Sequence, residues 1–369
     1  MRKQLLATLA AAAVLGTAQV AGAQEILLGV VGPLTGDQAS FGEQMKKGAE
    51  MAAADINAAG GLMGKKIKLM IEDDRCSDKD AVIAANKVAD AKVAGVIGHF
   101  CSSASIPASQ VYAKRGIVQI TPASTNPKLT EQGLKNVFRS CGRDDAQGLV
   151  AGNYLAKAFK GKKVAIIHDK STYGKGLADE TKKALNKAGM KEALYDSYTK
   201  GDKDFTALVN KLKAGGYAAV YIGGYEVETA LIAKQAKEAG FNTQIIGGDA
   251  LETDEVVKIA GPAAEGMLFT FAPDPRKIPE NAALVKKFQD AKYDPQGYTL
   301  YTYAAVQMWA EAYKKAGGKT DAASLSKALH GGTFNTAVGK LTIDAKGDVR
   351  DPKYVFYKFQ GGKRVELSM

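Results

Sequence analysis

Ser102 stands where a carboxylate could be held. It follows a short apolar run, residues 95–98, in the segment His99-Phe-Cys-Ser-Ser-Ala-Ser105, which leads into a helical stretch. A helix start carries unpaired N–H donors and partial positive charge, so the Ser102 hydroxyl and N–H suit an anion; the same serine also suits a plain N-cap. After the next apolar run comes Thr121-Pro-Ala-Ser-Thr125, a stiffened turn rich in hydroxyls. The Ala123 carbonyl and the Ser124 and Thr125 hydroxyls could accept hydrogen bonds from an ammonium, although such clusters are common in loops. Further along, Tyr173, Tyr225 and Asp249 each follow a β-branched run. Singly, a tyrosine there is rim packing and an aspartate a helix cap; together, at equivalent positions, they suit a second wall facing the first.

Catalytic chemistry has less support. His99 lies near Ser102, but no Gly-x-Ser-x-Gly elbow surrounds the serine, and the chain has only three histidines. Neither a phosphate-binding Gly-Lys loop nor a dinucleotide fingerprint follows the first strand, and His99, His168 and His330 lack metal-ligand spacing. No cofactor and no metal are expected.

Open parallel sheets place ligand-binding loops beyond the carboxyl ends of their strands, and the pattern of the chain fits such a scaffold. Strands are expected at residues 26–31, 65–71, 95–98 and 116–121, with helices at 42–58, 80–91 and 106–114 between them. A second series repeats the alternation, with strands at 163–167, 192–198, 218–222 and 244–246 and helices at 176–188, 205–214 and 227–239. Residues 266–271 read as a strand returning towards the first series. Two helices follow, at 281–291 and 301–316, and residues 341–359 read as β-structure. The expected fold class is α/β: two doubly wound parallel-sheet lobes, crossed by the chain near 141–142, 272–273 and 348–351. Residues 24–141 with 273–348 form one lobe, and 142–272 with 349–369 the other.

Arg2 and Lys3, an apolar run over residues 5–20, and Ala21-Gly22-Ala23 read as a cleaved secretion signal, residues 1–23. No cysteine lies near it, so release into the periplasm is expected rather than lipid anchoring. A net charge of +11 permits attraction to anionic surfaces, but the lysines are dispersed, which argues against nucleic acid. Three cysteines allow one disulfide. Cys76 and Cys101 both follow strands that adjacent parallel pairing would bring together, so these two are paired and Cys141 is left free and buried.

With these segments assembled, the chain resembles the periplasmic leucine/isoleucine/valine-binding proteins of ABC transporters. The resemblance is carried by Gly32-Pro-Leu-Thr-Gly36, Ala54-Asp-Ile-Asn-Ala-Ala-Gly-Gly61, Ile97-Gly-His-Phe-Cys-Ser-Ser103, Ile120-Thr-Pro-Ala-Ser-Thr125, His168-Asp-Lys-Ser-Thr-Tyr-Gly174 and Gly223-Gly-Tyr225, in that order. It implies a type I periplasmic binding fold with a three-strand hinge, a non-enzymatic monomeric receptor for free aliphatic amino acids, and a membrane permease as partner. The Cys76–Cys101 pair matches the family's disulfide.

By the same resemblance, Ser102 and the Thr125 N–H hold the ligand's α-carboxylate, while the Ala123 carbonyl, the Thr125 hydroxyl and Asp249 hold its ammonium. Tyr173 and Tyr225 close from the second lobe, and Phe41, Phe100, Cys101 and Tyr298 line the side-chain pocket. Two departures stand out: Asp249 occupies a position where the family carries glutamate, and Phe41 one where it carries tyrosine. Both leave the amino-acid head group recognisable and make the identity of the side chain the open question. The competing expectation is a receptor of the same fold for another amino acid, an amide or a small carboxylate.

Overall fold

The computed structural model describes residues 25–367; the expected secretion signal lies outside the described residues. The first series is β1 (Glu25–Gly32), α1 (Ala39–Ala58), β2 (Lys66–Asp73), α2 (Asp78–Asp90), β3 (Val96–Gly98), α3 (Ser102–Arg115), β4 (Gln119–Thr121), the single turn α4 (Lys128–Glu131) and β5 (Val137–Arg139). Its strands are all parallel, in the order β2-β1-β3-β4-β5. β3 and β4 are only three residues long and wholly buried, as interior strands covered on both faces must be.

The second series is α5 (Asp144–Ala158), β6 (Val164–His168), α6 (Thr172–Lys187), β7 (Leu194–Ser197), α7 (Thr206–Gly215), β8 (Ala219–Gly223), α8 (Glu226–Glu238), β9 (Gln244–Gly247), α9 (Glu255–Ala260) and β10 (Leu268–Phe271). The chain then forms α10 (Ala282–Asp290), α11 (Thr299–Lys315), α12 (Ala322–Leu329), a hairpin of β11 (Thr333–Thr336) and β12 (Gly339–Thr342), and finally β13 (Val355–Gln360) and β14 (Lys363–Glu366). The second sheet runs β14-β13-β10-β9-β8-β6-β7.

β10, read from the sequence as a strand returning towards the first series, belongs to the second sheet, where it pairs parallel with β9 and antiparallel with β13. Its four residues are all buried, so the strand is held where both faces are covered. The sheet is also not wholly parallel, because β13 and β14 add an antiparallel edge.

One face of the first sheet packs Leu28, Val30 and Ile97 against Leu300, Trp309 and Leu325 of α11 and α12. The other face joins a larger cluster that runs through Phe41, Phe100, Tyr298 and Tyr173 to the second sheet's Ile166 and Ile222. Cys141, Gly142, Ala272, Pro273, Val349 and Arg350, from segments that lie between β5 and α5, after β10 and before β13, line one cavity of ≈ 220 Å³. The Cys76–Cys101 disulfide is formed, and Cys141 is a buried free thiol, as expected. Burial pushes the Cys141 thiol up to about 12, which makes it a poor nucleophile.

Candidate functional site

Two loops of the first lobe meet at the carboxyl ends of β3 and β4. Cys101 is the extended residue before α3, its sulfur committed to the disulfide, so Ser102 becomes the first helical residue and its N–H faces outward from the helix start. The Thr121 hydroxyl donates to the His99 carbonyl at 2.6 Å and accepts from the N–H groups of Ala123 (3.2 Å) and Ser124 (2.9 Å). This ties the second loop to the first. The Ser102 hydroxyl accepts from the Asn126 N–H at 3.3 Å, closing the pair from the other end.

Ser124 turns inward. Its hydroxyl donates to the Phe100 carbonyl at 2.7 Å and its carbonyl accepts from the Arg139 guanidinium. It therefore shapes the loop that Asn126 ties to Ser102. The Thr125 hydroxyl is buried and has no hydrogen-bond partner among the described residues.

Both ring nitrogens of His99 are occupied. Nδ1 lies 2.6 Å from the Asp74 carboxylate and Nε2 2.9 Å from the Tyr112 hydroxyl, with the ring fully buried. The imidazole is a brace between β2 and α3, not a base for Ser102.

The second lobe supplies the opposing wall. Ser171 caps α6 by accepting from the Gly174 N–H at 2.9 Å, which sets Tyr173 in the first turn. Tyr225 is the extended residue before α8, and Asp249 begins a short 3-10 turn after β9. The Tyr173 hydroxyl donates to one Asp249 oxygen at 2.7 Å and accepts from the Ala250 N–H at 3.3 Å. The rings of Tyr173 and Tyr225 lie 5.0 Å apart.

Tyr298 comes from the first lobe, at the start of α11, and its hydroxyl donates to the other Asp249 oxygen. Its N–H donates to the Gln44 side chain at 2.8 Å. Gly297, at φ +55°, passes so close to the second lobe that an added Cβ would sit 2.7 Å from the Glu252 carbonyl. Phe41 stacks on Phe100 with centroids 4.4 Å apart, and Tyr298 stands edge-on to Phe100 at 5.2 Å. These three rings and Cys101 form an apolar wall beside the Ser102 and Thr125 loops.

Burial raises the Asp249 carboxyl above the usual aspartate range, although bonds from Tyr298 and Tyr173 pull it down. Several participants carried little sequence signal. The Asn126 side chain donates to the Thr172 carbonyl at 2.8 Å, from one lobe to the other. The Lys200 ammonium lies 4.4 Å above the Tyr225 ring and 3.1 Å from the Cys76 sulfur. Lys203 pairs with Asp37 at 3.0 Å. Asp144, at the start of α5, is wholly buried next to Thr125. A cavity of ≈ 600 Å³ at the mouth of this cleft is lined from both lobes, by Ser77, Ser103 and Lys128 and by Asp169, Ser171 and Lys200. Among the described residues no cluster of histidine, cysteine and acidic side chains could hold a metal, and no helix is long and apolar enough to cross a membrane.

The sequence model of a family described as periplasmic binding protein matches residues 25–363. The Leu/Ile/Val-binding protein homolog 1 of Brucella suis biovar 1 is 51% identical over 363 residues, spanning 98% of this chain and 97% of that protein. An amino acid binding protein of Pseudomonas aeruginosa is 49% identical, over 99% of this chain and 98% of its own. Among solved structures, the leucine binding protein LivK of Thermotoga maritima superposes with a TM-score of 0.85 at 28% identity, covering 93% of this chain and 98% of that one. The branched-chain amino acid substrate binding protein LivJ of Streptococcus pneumoniae, solved with isoleucine, gives 0.84 at 26% identity, covering 93% and 99%.

Proposed function

The chain belongs to the periplasmic binding protein family, and from that premise we propose that it is an ABC-importer receptor that closes its two lobes over a free aliphatic L-amino acid. The observation that carries this reading is the meeting of opposite recognition chemistries in one buried place. A helix start and a hydroxyl loop from one lobe, at Ser102 and Thr125, are joined through Asn126 to Thr172 of the other lobe, next to the Tyr173 that holds the buried Asp249 carboxyl. A zwitterion loses much hydration on burial, so each charged end needs fixed partners. Ser102 and the Thr125 N–H take the carboxylate. The Ala123 carbonyl, the Thr125 hydroxyl and Asp249 take the ammonium. Tyr173 and Tyr225 cover the ligand, and Phe41, Phe100, Cys101 and Tyr298 receive its side chain, each buried methylene adding about 0.8 kcal/mol.

Closure follows from geometry. Only the closed form lets a ligand touch Ser102 and Asp249 together, so ligand shifts the population towards it. A membrane permease then reads the closed lobes. The receptor works as a monomer, divided as 24–141 with 273–348 and 142–272 with 349–369, and reaches the periplasm through removal of residues 1–23. Ligand transfer involves no bond breaking, which accords with the commitment of His99 to Asp74 and Tyr112. A calorimetric screen against the twenty amino acids tests the proposal: tight, saturable binding of aliphatic members supports it, and no binding to any of them defeats it.

A further inference from the structure

Asp144 is the first residue of α5 and is 0% exposed. Its backbone N–H donates to the Thr125 carbonyl at 2.9 Å, which fixes it against the loop that bears the Thr125 hydroxyl. Yet neither Asp144 carboxyl oxygen closes a hydrogen bond among the described residues, and neither does that hydroxyl, which nonetheless lies near enough to draw the acid towards its ionised form. Nearby donors are committed elsewhere. Arg139 is spent on Asp348 (2.7 Å), the Ser124 and Asn126 carbonyls and Thr130. The Gln147 amide donates to Thr270, at 2.8 Å to its hydroxyl and 3.1 Å to its carbonyl. Leaving a buried carboxyl without a closed hydrogen bond is costly, so the arrangement calls for a reason.

A threonine hydroxyl has one proton and two lone pairs. If it is to accept from an ammonium, its own proton must be directed elsewhere, and Asp144 is the acceptor beside it. We propose that Asp144 is a positioning residue for the ligand ammonium: its ionised carboxyl accepts the Thr125 proton, turns a Thr125 lone pair to the ammonium, and adds a second negative charge to that of Asp249. This rests on the reading that an α-ammonium sits between Thr125 and Asp249. In the ligand-free protein burial, reinforced by the Asp249 charge, pushes the Asp144 carboxyl well above the aspartate range, while the Thr125 hydroxyl and Arg139 pull the other way. A bound ammonium supplies the missing positive charge.

The test is a double-mutant cycle read by calorimetry with L-leucine. Asp144→Asn and Thr125→Val should each weaken binding roughly tenfold or more, and the double variant should lose little beyond the weaker-binding single variant, because the two residues act as one unit. An Asp144→Asn protein that binds within about twofold of wild type, or a double variant whose losses multiply, overturns the proposal. Should Asp144→Asn fail to fold, the side-chain carboxyl carbon shift of Asp144 in the wild-type complex at pH 7 decides. An ionised carboxyl supports the proposal and a protonated one overturns it. Failure of wild type to bind any amino acid would instead strike the functional reading beneath it.

Discussion

The Tyr298 hydroxyl donates a hydrogen bond to Asp249 from the opposite lobe, so one carboxyl is held by a phenol from each side of the cleft. Tyr173 is a neighbour of Asp249 within its own lobe, whereas Tyr298 arrives with α11, which packs on the first sheet. The carboxyl that we propose as a ligand group is thus also a point where the lobes touch.

Asp249→Asn should therefore weaken amino-acid binding by about 3 kcal/mol, roughly a hundredfold, because the ammonium loses its counter-charge. Tyr298→Phe removes only the interlobe bond and should leave the ligand-free protein more open. Calorimetry reads the first effect and small-angle scattering the second. Near-wild-type affinity in the first variant, or an unchanged radius of gyration in the second, would count against these roles.

Phe41→Tyr adds a hydroxyl to a buried ring that stacks on Phe100 and stands edge-on to Tyr298. An unpaired buried hydroxyl costs about 1–3 kcal/mol. The variant should reorder preference among leucine, valine and alanine while leaving glycine nearly unaffected. Uniform weakening that includes glycine would remove Phe41 from the side-chain wall.

Affinity should depend on pH with a defined sign. Burial raises the Asp249 carboxyl, and ammonium binding requires the ionised form. Below the raised pKa a proton must leave before the ligand is held, so affinity falls by up to about tenfold per pH unit as the solution is acidified through that value. Calorimetry in buffers of different ionisation enthalpy should show proton release in that range. Affinity that rises on acidification would contradict the assignment.

Arg139 ties the Ser124 and Asn126 carbonyls to Asp348, which lies between β12 and β13. Burial pushes the Asp348 carboxyl up, but the Arg139 charge and bonds from Arg139 and Arg143 outweigh it and leave the carboxyl below its usual value. A depressed carboxyl contributes stability that is present above its unfolded pKa and lost as pH falls through the folded one. Asp348→Asn should cost about 3 kcal/mol of unfolding free energy at pH 7 and flatten the acid limb of the stability curve. A denaturation midpoint that does not move would show the pair to be idle.

The positions of Ser102, Thr125, Tyr173, Tyr225 and Asp249 beyond strand ends were legible because those ends can be read from local patterns. Asp144 was not, because α5 hides its helical character: Gly148 and Gly152 lower its propensity. The structure supplies the reason for those glycines. A Cβ at Gly148 would sit 2.7 Å from the Glu180 backbone, and one at Gly152 2.6 Å from the Ala184 Cβ, so α5 and α6 approach closely only without side chains there. The Arg139–Asp348 pair joins residues 209 apart, and the placement of β10 depends on β13 near the chain's end; no local pattern encodes either. Tyr298 read as a pocket residue, and its bond to Asp249 could emerge only when the lobes were seen together.

In the proposed receptor both lobes hold the zwitterionic head of an amino acid. The most direct measurement is a pair of calorimetric titrations of the wild-type protein, with L-leucine and with 4-methylpentanoate, the same carbon skeleton without its ammonium. The account predicts saturable binding of leucine and at least about a hundredfold weaker binding of the bare carboxylate, since Asp249 would be left without a cation. Comparable affinity for the two would contradict it.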